Sequence, residues 1–166
     1  MMRLVFHHNH QLLPPASDNR LPVQIYGLSG KGRGDISVIG NSILDKVQRL
    51  GVQIPGQVMD FLTIALAVTA ADAFVQRSAS EDGWSRQITL ELPLHDPNRW
   101  IPIKKDLERA LHFLSGDMWN FEFQTGGHPP PAPYSRRDRF HLVRLRELDC
   151  VSLFSGGLDS AIGVID

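Results

Sequence analysis

The sequence predicts an α+β N-terminal domain followed by the opening strand, loop and helix of an α/β domain. Three observations carry this reading. Arg86–Leu94 and Trp119–Gln124 alternate apolar and polar residues with period two, the mark of half-buried strands. Helix-compatible stretches precede and separate them: the alanine-rich run from Gly56 onward comes before the first, and Pro102–Ser115 lies between the two. Finally, Gly126-Gly127-His128-Pro129-Pro130-Pro131-Ala132-Pro133 punctuates the chain before a strand-like run and a glycine-rich turn near its end. The expected organisation is an α+β domain over residues 1–125, a Pro-rich linker over 126–138, and the start of a second domain over 139–166.

In chain order, Arg3–Phe6 and Pro22–Tyr26 read as short strands, with Asp35–Ile39 a third. Between the last two, Gly27-Leu28-Ser29-Gly30-Lys31-Gly32-Arg33-Gly34 reads as a flexible basic turn. It falls short of G-x-x-x-x-G-K-[ST], because its glycine spacing is too short and Gly32 stands where a hydroxyl should bind magnesium. A helix from Asn41 or Ser42 to Leu50 has a polar N-cap and Gly51 as its C′ residue. The next helix, Gly56 to about Arg77, is apolar nearly all round and is expected to be central, with Asp60 and Asp72 needing polar partners where buried.

Arg86–Leu94 places Ile88, Leu90, Leu92 and Leu94 on one face, and His95–Asn98 reads as a turn. Pro102–Ser115 reads as an amphipathic helix with Leu107, Ala110, Leu111 and Leu114 inward and Gly116 as terminator. After the proline run, Phe140–Leu148 alternates again. Val151-Ser152-Leu153-Phe154 then forms a strand-like lead into Ser155-Gly156-Gly157-Leu158-Asp159-Ser160, and Ala161–Ile165 suits a helix start. A strand, a tight glycine turn and a helix N-terminus gather backbone N–H groups and the positive end of a helix dipole at one point, which suits an anion.

That six-residue run resembles the PP-loop (SGGxDS) of the N-type ATP pyrophosphatases, whose nucleotide domain is of the adenine nucleotide alpha hydrolase-like type. Its wider wording, Phe154 to Ala161, is most similar to the QueC-like branch, the 7-cyano-7-deazaguanine synthases and relatives. The resemblance implies that Ser155, Gly156, Gly157, Leu158 and Ser160 cradle the phosphates of ATP, with Asp159 supporting the loop or its Mg2+. Asp159 and Ser160 are the implied catalytic residues. It also implies cleavage between the α- and β-phosphates, a carboxylate substrate of deazaguanine type activated by adenylation, and attack by an amine or ammonia.

QueC enzymes open almost at this loop and carry a zinc-binding cysteine cluster further on. Here the loop begins at Ser155, and zinc is expected only with a further cysteine cluster. A long N-terminal extension resembles QueC-like proteins of anti-phage defence loci (QatC-like). There the chain is the N-terminal portion of the enzyme, inactive by itself, and its first domain docks a protein partner or protein substrate. Two alternatives stand beside this: a partner-binding scaffold with a non-catalytic PP-loop, and a fragment of a tRNA-thiolating or amidotransferase synthetase.

Composition sets outer bounds. A net charge of −1 gives no global attraction to nucleic acid or to an anionic membrane. A lone cysteine, Cys150, excludes an internal disulfide, fits a reducing compartment and reads as a packed thiol. The N-terminal apolar stretch turns polar at His7, too early for a signal peptide. The stretch Phe61–Ala71 between Asp60 and Asp72 is well short of the roughly 20 apolar residues that cross a bilayer. A cytoplasmic protein is expected.

Smaller features have plain readings. His7, His8 and His10 read as a solvated strand end, with His8 and His10 on one face, in preference to a metal site. Asp72, Arg77, Trp84, Arg86, Asp117 and Trp119 read as buried ion pairs tying a helix to two strands, the alternative being a recognition groove. Arg136-Arg137-Asp138-Arg139 reads as a solvated linker.

Overall fold

The computed structural model describes residues 1–27, 34–80 and 82–135. The strand expected at Phe140–Leu148, the basic cluster 136–139, Cys150 and the whole of Val151–Ser160 lie outside those residues, as does most of the glycine turn after Gly27.

Five strands form one sheet: β1 (Met2–His7), β2 (Arg20–Ile25), β3 (Ser37–Ile39), β4 (Gln87–Leu94) and β5 (Met118–Thr125), in the spatial order β3-β2-β1-β4-β5. Every pairing is parallel. The expected mixture of helix and sheet is observed, and the wholly parallel order is a finding the strand patterns left open. It is the order of open doubly wound sheets, in which the chain moves outward from β1 to one side and then returns to build the other.

Prolines mark where ladders stop. Pro22 opposes Val5 of β1, and on its other side β3 begins to pair only at Val23, so the missing N–H of Pro22 breaks no bond there. The β1–β4 ladder ends at Val5↔Glu91, two residues before Pro93, which has no N–H to extend it.

The crossover from β3 to β4 carries α1 (Ile43–Arg49) and α2 (Gly56–Phe74). The step from β4 to β5 carries α3 (Pro97–Trp100), a 3-10 turn at Ile101–Ile103 and α4 (Lys104–Ser115). Gly51 and Gly116 take φ of +67° and +74°, the left-handed geometry that ends a helix without a Cβ clash. α2 stops at Phe74, short of the expected Arg77. Val75 turns extended there, and the turn that follows delivers the Arg77 guanidinium to Asp117.

α2 is 19 residues long with mean hydropathy 1.4, enough by length and composition to cross a membrane. In this fold it is the central helix. Its Ile64, Ala67, Ala70 and Ala71 pack against Leu4, Phe6, Val23, Ile88, Leu90, Leu92, Leu94, Trp119 and Phe121 of the sheet. The alanines let helix and sheet backbones approach closely, and burial of the large apolar partners drives the contact. Among the described residues, nothing covers the opposite side of α2, where Val58, Phe61 and Ala65 are exposed. α4 lies over β5 through half-buried Leu107 and Leu111, while Ala110 and Leu114, expected inward, face solvent.

On the other face of the sheet, Glu91 and Glu122 are direct neighbours in the β4–β5 register. Arg3 of β1 neutralises the pair, bonding Glu91 and reaching both Glu122 oxygens at 2.7 and 3.0 Å.

Candidate functional site at the carboxyl edge of the sheet

Ser155, Gly156, Gly157, Leu158, Asp159 and Ser160 lie outside the described residues, so the candidate site that the structure itself displays is a different one. In an open sheet of this order, ligands settle beyond the carboxyl ends of the strands, where the chain's direction of travel reverses. Here that point falls between β1 and β4.

The carboxyl edge is built from four elements. β1 ends on His7, and the next residue, His8, stacks its ring on that of His7, with centroids 4.5 Å apart and planes at 27°. Stacking replaces the expected arrangement in which His8 shared a face with His10, because the strand has ended and His10 begins a 3-10 turn. The Asn9 N–H donates to His7 Nδ1 at 2.9 Å, so that nitrogen accepts and the neutral ring carries its proton on Nε2. Burial pushes the His7 imidazole below its ordinary value. Burial does the same to His8, helped by the charges of His7 and His128. His8 Nδ1 is buried with no hydrogen-bond partner, a costly arrangement in a folded protein.

β2 leads into Tyr26, which takes φ of +62°, an unusual backbone conformation for a bulky residue. Tyr26 is held there by the bond from its N–H to Ile39 O and by its hydroxyl, which lies 2.8 Å from Thr63 Oγ1 of α2. Burial pushes this phenol up to about 12.

β4 leads into His95 and Asp96, whose backbone N–H groups donate to the buried Asp60 carboxylate of α2 at 2.6 and 3.1 Å. Trp100 Nε1 adds a third donor at 3.2 Å. Three donors aimed at one carboxylate satisfy an acidic group that would otherwise be expensive to bury inside an apolar helix.

The fourth element is the glycine- and proline-rich run after β5. Its sequence suits a free linker, yet residues 126–134 run along the carboxyl edge. The Gly127 N–H donates to Leu94 O at 3.0 Å, and any Cβ at Gly127 would overlap the backbone of Leu94 and His95. The His128 ring meets His8 edge-on at 5.4 Å and Tyr26 at 5.7 Å. Further along, Ala132 O accepts from Gln48 Nε2, Tyr134 N donates to Gln48 O, and the Tyr134 hydroxyl donates to Asp45 of α1. His128, Tyr26 and His95 come together only through the fold, since they are far apart in sequence. The Gly126-Gly127 pair was the available signal, since adjacent glycines permit close approach of two backbones.

At the opposite, amino edge the expected ion pairs form, but only Arg86 and Asp117 are buried, while Asp72 is largely exposed and Arg77 partly so. Arg86 Nη2 reaches Asp72 at 2.7 Å and Asp117 at 2.5 Å, and Arg77 grips both oxygens of Asp117 at 2.9 and 3.1 Å. Arg86 also donates to Val75 O and Asp72 O, tying the end of α2 to β4. Trp84 is exposed, with the Arg77 guanidinium 5.7 Å from its ring centre. Among the described residues, no group of three His, Cys, Asp or Glu side chains is placed to hold a metal ion.

No family model matches the chain, and neither a curated protein nor a solved structure matches it.

Proposed function

We propose that the chain contributes the N-terminal part of a PP-loop ATP pyrophosphatase, similar to the QueC-like enzymes and to their anti-phage defence relatives. The observation that carries this reading is the run Ser155-Gly156-Gly157-Leu158-Asp159-Ser160, set between a strand-like and a helix-compatible segment. Amides of such a loop stabilise the charge that develops on a departing pyrophosphate. A substrate carboxylate oxygen attacks the α-phosphorus of ATP, the bond to the β-phosphate oxygen breaks, and pyrophosphate leaves. An amine or ammonia then attacks the acyl carbon and AMP departs. ATP with Mg2+ is the cofactor, a deazaguanine-type carboxylate the small-molecule substrate, and the cytoplasm the compartment.

In this reading the parallel-sheet unit holds a protein partner or protein substrate. The exposed side chains of Phe61, Trp84, Phe113 and Leu114 support that role, the last two at 87% and 78% exposure. They equally favour the second reading, a partner-binding scaffold whose PP-loop does no chemistry.

The two readings separate in one assay, pyrophosphate release from ATP by the protein of the full reading frame. Release that is abolished by Asp159→Ala and by Ser160→Ala supports the enzyme. Release unchanged by both substitutions refutes the site assignment, and absence of release from the unaltered protein favours the scaffold.

A further inference from the structure

We propose that residues 126–134 form a strap across the carboxyl edge of the sheet, latched by His128 against His8 and Tyr26, and that mild acidification releases it. This goes beyond the ATP reading and rests on none of the residues that carry it.

Three facts make the segment a strap. It is bonded at both ends, by the Gly127 N–H on Leu94 O and by the Tyr134 N–H on Gln48 O. Between those ends, His128 makes the ring contacts that seat it over β1 and β2. Prolines at 129, 130, 131 and 133 stiffen it into extended backbone, so that it lifts as a unit. It covers the place where parallel sheets of this order take ligands.

The latch rests on two imidazoles, His7 and His8, whose burial disfavours the charged form. His7, His8 and His128 lie in a chain with centroid separations of 4.5 and 5.4 Å. The titratable and charged groups facing them, among the described residues, are few. Tyr26 meets the His128 ring and resists ionisation, Asp60 of α2 acts on Tyr26, and the His95 backbone lies beneath Gly127. Asp60 already takes the N–H groups of His95 and Asp96 and the Trp100 indole. At the far end of the strap Asp45 is paired with Arg49 and Tyr134.

Protonation of the cluster is therefore met by repulsion between neighbouring rings. His7 gains its second proton on Nδ1, the atom to which the Asn9 N–H already points, and that bond is lost. Because the folded state depresses the affinity of His7 and His8 for protons, their stabilisation is complete above the ordinary imidazole value near 6.5 and is lost as pH falls below it. His128 is the member of the chain that can leave, since His7 and His8 are anchored by β1.

The test is amide exchange by NMR on the 166-residue protein at pH 7.5 and pH 5.5, corrected for intrinsic rates. The Gly127 and Tyr134 amides are expected to lose about tenfold or more of their protection at the lower pH, while Leu90 and Phe121 keep theirs. Equal protection at both pH values, or a loss shared by Leu90 and Phe121, overturns the proposal. His128→Phe keeps an edge-on ring that takes no proton, so its strap should stay protected at pH 5.5, and a persisting loss would show that His128 is not the latch. In the unaltered protein, the ring C–H shifts of His8 should titrate together with the loss of Gly127 protection. Transitions at clearly separate pH values would also overturn it.

Discussion

The Arg86 guanidinium and the Asp117 carboxylate meet at 2.5 Å with both side chains withdrawn from solvent. Asp117 also accepts the Arg86 backbone N–H, so one carboxylate fixes both the strand and its side chain. Asp117→Ala leaves a buried guanidinium with Asp72 as its remaining carboxylate. The expected loss is about 3–5 kcal/mol in urea unfolding. Burial opposes ionisation of Asp117, and the Arg86 bonds outweigh it, holding the carboxyl below the usual range. A depressed carboxyl stabilises the fold above its unfolded value, near 4, and that contribution disappears as pH falls through the folded value. Acid unfolding of the unaltered protein should show this component and Asp117→Ala should lack it.

Asp60 joins α2 to the turn after β4 through three donors. Asp60→Ala strands two backbone N–H groups and the Trp100 indole, with an expected cost on the order of 3 kcal/mol. Asp60→Asn keeps one acceptor oxygen and should fall between the two. Thermal unfolding of the three proteins side by side checks the order.

Arg3 keeps Glu91 and Glu122 apart in charge though they are adjacent in register. These side chains are partly exposed, at 33% for Arg3 and 38% for Glu122, so solvent screens the pair and the effect is modest. Arg3→Met should cost about 1 kcal/mol, and Glu122→Gln added to it should recover part of that by removing the like-charge contact. A double-mutant cycle that sums to zero coupling would contradict this account.

Gly127→Ala places a methyl group where the backbone of Leu94 and His95 already stands. The strap must then shift and the bond to Leu94 O lengthen or break, at an expected cost of about 1–3 kcal/mol. The adjacent Gly126, at φ of +101°, resists alanine for a different reason, since L side chains avoid that backbone region. Urea midpoints for the two variants should both drop.

The strands β4 and β5 were legible because alternation by twos is written directly in Ile88, Leu90, Leu92 and Leu94 and again in Trp119, Phe121 and Phe123. The Arg86–Asp117 pair at the amino edge was legible because aspartate and arginine near element ends have few other ways to be buried, whereas the exposure of Asp72 was not. The parallel order was not, since alternation says which face is inside and nothing about which neighbour lies alongside. Ala110 and Leu114 of α4 carry a helical repeat of apolar residues, yet they face solvent, because repeat alone does not say which of two adjoining stripes meets the sheet. The carboxyl-edge cluster escaped notice because His8, Tyr26 and His128 come from segments far apart in the chain.

The placement of β1 at the centre of the sheet sets a schedule for synthesis. Met2–Val5 must wait for Ile88–Glu91 before their second edge is paired. Until those later residues leave the ribosome, Leu4 and Phe6 sit on a half-finished sheet with an open edge, available to any other nascent chain. A sheet arranged this way cannot complete its central strand before Glu91 has been synthesised, and chaperones that shield open strand edges should raise its yield in cells.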